Sequence, residues 1–154
     1  MPEPSREQSE TMRRYLGEGI VAALADDDVT EIYVNAGDGA VWLDRRSAGR
    51  LRSGISLPEG TVRSFLNAVA NGQRVELTRK NPQLQAELPD DDLFRGARLQ
   101  GVVPPVAERL VFVLRKPAAR VYGLDEYVRQ GVLTPAQRAA LGRAVVDPDC
   151  QVDA

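Results

Sequence analysis

Arg98 and Arg115 are the residues whose type and placement most directly suggest chemistry. They stand in two runs that read as strands, Gly96-Ala97-Arg98-Leu99-Gln100-Gly101-Val102-Val103 and Phe112-Val113-Leu114-Arg115-Lys116, joined through a Pro104-Pro105 turn. A guanidinium grips phosphate through paired hydrogen bonds of fixed geometry. Two strand-borne arginines on one face could therefore project onto a nucleotide held by another domain. The plainer alternative is two surface arginines with solvated heads. Tyr122 follows in the loop beyond the second strand, where its ring can stack on another ring or serve as a linker contact.

Other chemistries are poorly supplied. The 154 residues contain no histidine, which removes the commonest general base and metal ligand together. The one cysteine, Cys150, can form neither an intramolecular disulfide nor a thiolate zinc site by itself. A phosphate loop needs Gly-x-x-x-x-Gly-Lys followed by Ser or Thr, and neither lysine, Lys80 or Lys116, follows a glycine. Gly37-Asp38-Gly39 is too short for a phosphate fingerprint and reads as a hairpin turn. Asp90 and Asp91 are adjacent on a turn rather than opposed across a cleft, so an independent enzyme is a poor reading.

Charge is balanced, with 20 Lys and Arg against 22 Asp and Glu and a net charge of −2, which argues against bulk nucleic-acid binding. Arg45, Arg46, Arg50 and Arg52 form a basic cluster, and Arg79-Lys80 a second. These read as solvated faces or as contacts for an acidic partner surface or nucleic acid, although aromatic residues at 5% provide few stacking platforms. The run Asp26-Asp27-Asp28 reads as a solvated helix exit rather than a metal site. No apolar run is long enough to span a bilayer, and residues 1–8 lack the apolar middle of a signal peptide. A cytoplasmic protein is expected.

The elements that must position the arginines follow from periodicity. Met12, Leu16, Ile20, Ala23 and Leu24 predict a helix over residues 10–25, ended by the three aspartates that oppose its dipole. Strands are expected at 29–35, with Ile32 and Val34 on one face, at 40–43 and at 51–55, with turns at 35–39 and 45–50. Pro58 opens a second helix with Val62, Phe65, Leu66 and Val69 as its apolar stripe and Asn71-Gly72 as its cap. Further strands are expected at 85–88, 95–103 and 110–115. On the last, Leu110, Phe112 and Leu114 share one face and Val111, Val113 and Arg115 the other. Short helices should follow at 124–130, closed by Gly131, and after Thr134, where Pro135 and Gln137 complete a capping box and Leu141, Ala144 and Val145 give an apolar side. The fold class is α+β: a mostly antiparallel sheet with helices packed on one face, then C-terminal linker helices.

The chain resembles the N-terminal domain of TrbB-like conjugative transfer ATPases, within the type IV secretion traffic-ATPase family. The resemblance is carried, in order, by Val29-Thr30-Glu31-Ile32-Tyr33-Val34-Asn35, Val41-Trp42, Asn81-Pro82 and Glu87-Leu88-Pro89. It continues through Gly96-Ala97-Arg98-Leu99-Gln100-Gly101, Pro104-Pro105, Phe112-Val113-Leu114-Arg115-Lys116-Pro117 and Leu124-Asp125-Glu126-Tyr127-Val128 before Gly131. It covers residues 16–146. Asp90-Asp91-Asp92-Leu93-Phe94-Arg95 departs from the glycine-bearing turn usual there.

The resemblance implies a homo-hexameric ring of two-domain subunits, with ATP and Mg2+ held between this sheet domain and a RecA-like motor domain. Arg98 and Arg115 would match the family's phosphate-contacting arginines, with Tyr122 nearby as a third cofactor-binding candidate and no catalytic or metal-ligating residue in this chain. The implied layout is a tail at 1–8, a sheet domain at 9–117, linker and helices at 118–146 leading to the motor, and a tail at 147–154. The motor and its Walker loop are absent from these residues, so the chain is expected not to hydrolyse ATP alone and to need no cofactor by itself. Implied partners are the motor domain, other ring subunits and the secretion or conjugation machinery at the inner membrane, with no direct nucleic acid. The location is then cytoplasmic or peripheral at that membrane. The competing expectation is a stand-alone protein-binding module, or an assembly modulator of a full-length ring.

Overall fold

The computed structural model describes residues 6–34, 38–118 and 121–146. The chain divides into two compact units, Met1–Ala119 and Arg120–Ala154. Residues 35–37 of the turn expected at 35–39, residues 1–5 of the tail expected at 1–8, and the tail expected at 147–154 lie outside the described residues, whereas residues 6–8 of that first tail belong to a helix.

The first unit contains helices α1 (Arg6–Ala25) and α2 (Glu59–Gly72) and strands β1 (Val29–Val34), β2 (Ala40–Arg45), β3 (Gly49–Ser56), β4 (Gln83–Glu87), β5 (Arg98–Val102) and β6 (Val111–Arg115). The strands form one sheet in the order β3-β2-β1-β6-β5-β4, and every neighbouring pair is antiparallel. The α+β architecture expected from the sequence is the one observed.

Period-two alternation divides the sheet into an apolar face and an open face. Register aligns Leu43, Ile32, Leu114 and Leu99 in one apolar row, and Val41, Val34, Phe112, Gly101 and Leu84 in the next. These rows form the core with Met12, Leu16, Ile20 and Leu24 of α1 and Val62, Phe65, Leu66 and Val69 of α2. The Phe65 and Phe112 rings meet at 5.1 Å between centroids, tilted by 49°. Gly101 lets α2 approach closely: a Cβ there would stand 2.7 Å from Leu66 Cδ2. Burying one such side chain contributes roughly 1.5–3 kcal/mol, so the helix stripes bind this face of the sheet and leave the other uncovered by them.

Several boundaries differ from the sequence expectation. Helix α1 begins at Arg6 rather than residue 10, and Gln8 Nε2 ties its first turns to the Ala68 carbonyl at 3.2 Å. It is kinked at Gly17, whose φ of 72° and ψ of 169° lie where only glycine sits without strain. Pro58 is the N-cap of α2 rather than its first residue. Helix α2 runs through Gly72, and Arg74, at φ 56°, takes the left-handed position of a Schellman ending. Its amide donates to Asn71 O at 3.0 Å and that of Val75 to Ala70 O at 2.9 Å.

Strand β5 starts at Arg98, not residue 95. The Asp91 carboxylate accepts from the Leu93 and Phe94 amides at 3.0 and 2.7 Å and folds a turn there. That turn puts Phe94 in the core and gives Arg95 and Gly96 positive φ.

The second unit holds α3 (Leu124–Arg129) and α4 (Pro135–Val146). Gly131, at φ 73°, closes α3 as expected, its amide donating to Val128 O at 3.0 Å. The expected capping box is formed: the Gln137 amide donates to Thr134 Oγ1 at 3.2 Å, and the Thr134 amide donates to Gln137 Oε1 at 2.9 Å. Arg138 Nε joins the two helices through Asp125 at 2.9 Å. The apolar side expected for α4 buries nothing: Leu141, Val145 and Val146 are exposed.

Candidate functional site

The open face of the sheet carries a row of charge. Register sets Glu87 opposite Arg98, Arg98 opposite Arg115, Arg115 opposite Glu31, Glu31 opposite Asp44, and Asp44 opposite Arg50. The row thus crosses all six strands. The two arginines sit side by side in it on β5 and β6, held in place because Leu99 and Leu114, their chain neighbours, are buried partners. Arg98 and Arg115 must then project to the opposite face, and a one-residue slip in register would bury them.

Directly opposed like charges repel, and the two arginines differ in how they are compensated. Arg115 Nε lies 3.2 Å from Glu31 Oε1, with 74% of the arginine side chain exposed. Arg98 is exposed and its side chain has no ion-pair or hydrogen-bond partner among the described residues. Both line an open groove of 780 Å³ together with Glu31, Gln73, Glu87 and Gln100. The chemistry offered is guanidinium N–H donors on adjacent strands, flanked by carboxylates and side-chain amides. That arrangement can bind an anion with several oxygens. Its lining has no serine, threonine, cysteine or lysine, and among the described residues no group of histidine, cysteine or carboxylate side chains is set to hold a metal.

Tyr122, the third sequence-predicted site residue, belongs to the second unit, where its ring lies 6.1 Å from that of Tyr127. The structure therefore brings together Arg98 and Arg115 and describes Tyr122 within its own unit.

Among the neighbours that complete the charged row, Arg50 stands in the basic cluster read from the sequence, whereas Glu31 and Tyr33 carry no site role there. The Tyr33 hydroxyl donates to Glu31 Oε2 and accepts from Arg50 Nη2 at 3.0 Å. Arg50 also lies over the Tyr33 ring, 4.4 Å from its centroid. Partial burial first, and the hydrogen bond to Glu31 second, raise the Tyr33 pKa above the ordinary phenol value, so the hydroxyl is a donor at neutral pH. The available signal was alternation: Glu31 and Tyr33 must face away from Ile32 and Val34.

The acidic run meets the basic cluster at Arg45, and the remaining ion pairs around it reach outside both groups. Arg45 Nη1 lies 2.8 Å from Asp26 Oδ2 and 3.3 Å from Asp28 Oδ2. Arg95 pairs with Asp27 at 3.1 Å, and Arg52 with Asp38. The helix exit is thus an ion-paired junction whose aspartates keep solvent contact, Asp27 most of all at 67% side-chain exposure. Asp26 is held below the ordinary aspartate pKa by the Asp28 amide and then by Arg45. Asp28 is held low by the Ser47 hydroxyl and amide and then by Arg45. Lys116 Nζ donates to the Asp26 carbonyl at 2.6 Å, closing the C-terminus of α1 where a cation is favoured. Burial lowers the Lys116 pKa, against the pull of Asp27.

No protein-family model matches the chain. It is 32% identical over 134 residues to the probable conjugal transfer protein TrbB of Sinorhizobium fredii, spanning 87% of this chain and 39% of that protein. It is likewise 32% identical over 130 residues to the conjugal transfer protein TrbB of Rhizobium radiobacter, covering 84% of this chain and 38% of the other. A type IV secretion system protein PtlH homolog of Bordetella bronchiseptica is 31% identical over 127 residues, covering 81% and 35%. Among solved structures, the VirB11 ATPase of the Brucella suis type IV secretion system, in complex with sulphate, matches with a TM-score of 0.66 at 26% identity. That match covers 91% of this chain and 43% of that one. The chain spans about two fifths of the length of the curated relatives it matches. Among the described residues no helix is long and apolar enough to cross a membrane. With its antiparallel sheet, its two-helix backing and these likenesses, the chain belongs to the type IV secretion traffic-ATPase family as an N-terminal domain of the TrbB-like kind.

Proposed function

We propose that the open groove is a phosphate-contacting surface, and that Arg98 and Arg115 report the terminal phosphate of an ATP whose main cradle, with Mg2+, lies on a RecA-like motor domain. The observation that carries this reading is the direct pairing of two arginines across β5 and β6, with Arg98, although opposite Glu87 in register, making no close ion pair among the described residues. Like charges placed side by side cost stability unless an anion joins them. The Brucella relative is described in complex with sulphate, a tetrahedral anion of the same shape and charge class as phosphate.

Such donors stabilise charge on a nucleotide and couple its hydrolysis to domain motion. In this reading the domain works in the cytoplasm or at the inner-membrane face, within a homo-hexameric ring of the conjugation machinery. It makes no direct nucleic-acid contact and does not turn over ATP alone. Turnover by the purified chain, lost in Arg98→Ala, would contradict that last point.

The reading is tested by calorimetric titration of the 154-residue chain with pyrophosphate at low salt. Weak binding is expected, reduced about tenfold by either Arg98→Ala or Arg115→Ala, as for a lost charge-assisted contact. Binding unchanged in the double variant would refute it.

A second reading is favoured by the α3–α4 unit, where Val132, Leu141, Val145 and Val146 are exposed. Apolar residues presented on a short helix pair suit protein contact, as in a docking module or assembly modulator. This reading predicts binding to subunits of a full-length ring that survives loss of both arginines.

A further inference from the structure

Glu31 is the acid that touches Arg115, and its carboxylate is held at both oxygens. Oε1 faces Arg115 Nε at 3.2 Å. Oε2 accepts the Tyr33 hydroxyl proton, and that hydroxyl is itself fixed by Arg50 Nη2 at 3.0 Å. Arg50 is anchored twice more, over the Tyr33 ring at 4.4 Å and toward Asp44 Oδ2 at 3.7 Å. The chain Arg50, Tyr33, Glu31, Arg115 therefore runs from the β3 edge of the sheet to its centre.

The partners are unequal. The Glu31 side chain is 23% exposed and that of Arg115 74%. The acid is the more buried member, and the arginine reaches out from it into the groove. Its closest contact is on the Nε side of the guanidinium, and Arg115 Nη1 and Nη2 make no hydrogen bond among the described residues. The paired N–H edge suited to phosphate stays available while the remainder of the group is tethered.

We propose that Glu31, oriented by Tyr33 and Arg50, is a positioning residue that holds Arg115 with its Nη1/Nη2 edge ready for a polyphosphate, beside the untethered Arg98. The proposal rests on the phosphate reading of the groove. Its physical content is preorganisation: a long arginine fixed before the ligand arrives loses less side-chain entropy on binding. The positioning effect and plain electrostatics predict opposite signs. Deleting an acid beside an anion site should tighten anion binding if the acid merely repels. It should weaken binding if the acid holds the arginine in place.

The test uses pyrophosphate as the probe and the whole chain. Glu31→Ala is expected to weaken pyrophosphate binding about fivefold despite removing a negative charge, whereas Glu31→Gln, which keeps a polar oxygen of the same reach beside Nε, stays closer to the parent, within about twofold. Tyr33→Phe keeps the charge, frees Oε2 and is expected to weaken binding about twofold. Nitrogen relaxation at the arginine side chains supplies an independent readout without ligand. The Arg115 Nε–H vector should be more restricted than that of Arg98 in the parent and in Glu31→Gln, and should become as mobile as Arg98 in Glu31→Ala. Should Glu31→Ala misfold, Tyr33→Phe and the relaxation of the parent still decide. Equal mobility of the two arginines in the parent, or tighter binding in Glu31→Ala, overturns the proposal. Failure of the parent to bind pyrophosphate overturns the phosphate reading and the positioning role with it, whereas the other two outcomes leave the phosphate reading standing.

Discussion

Arg98 lies directly across the β5–β6 ladder from Arg115, two guanidinium groups on the open face above the buried pair Leu99 and Leu114. A sheet selected for stability alone would place opposite charges at such a position. Arg98→Gln removes this like-charge pair without setting a second carboxylate against Glu87, and should raise stability by about 0.3 kcal/mol while weakening anion binding about tenfold. Urea unfolding monitored at Trp42, beside a pyrophosphate titration, checks both halves. A destabilised variant that binds as tightly as the parent would contradict the role assigned to the pair.

Acid should weaken the junction between α1 and β2. Asp26 and Asp28 have folded pKa values below the ordinary aspartate value, through the amide and hydroxyl donors and Arg45 named above. A depressed carboxylate pKa contributes stability that is present above the unfolded-state pKa and lost as pH falls through the folded one. The chain should therefore lose stability as pH drops below about 4, and Arg45→Gln should flatten that part of the profile. Unfolding midpoints between pH 7 and pH 3 measure it; the same acid slope in parent and variant would remove Arg45 from the explanation.

The end of α2 offers a stabilising change. Arg74 sits at φ 56°, where a side chain is strained and glycine is not. Arg74→Gly should raise stability by about 1 kcal/mol, seen as a higher midpoint in urea at an unchanged slope. A loss of stability would mean that the Arg74 side chain contributes a contact outweighing its backbone strain.

That same residue shows what the sequence reveals and what it hides. Alternation and helical stripes were legible: Ile32 and Val34, then Phe112 and Leu114, fall on the buried face, and Val62, Phe65, Leu66 and Val69 form the face that α2 buries. The capping box at Thr134 and the stop at Gly131 were legible because the residues at those positions are the ones such structures favour. The ending of α2 was not, because Gly72 offers the expected signal while Arg74 takes the strained position. The late start of β5 was hidden for a similar reason: the turn is made by the Asp91 carboxylate and by positive φ at Arg95, a residue type that seldom marks one.

The candidate site was legible in part. Arg115 faces away from Leu114 by alternation alone, so its place on the open face follows from sequence. Its neighbours do not. That Arg115 meets Glu31 depends on β1 pairing with β6 in the middle of the sheet, and that Glu31 meets Tyr33 and Arg50 depends on the order β3-β2-β1. Long-range register decides both, and it is fixed by the packing of the whole apolar face against α1 and α2.

The most direct test of the central claim compares a non-hydrolysable ATP analogue with ADP, each titrated into the chain and into the Arg98→Ala, Arg115→Ala double variant. The account predicts tighter binding of the triphosphate by about fivefold or more, and loss of that preference in the double variant. Equal affinity for the two nucleotides, or a preference that survives removal of both guanidinium groups, would contradict it.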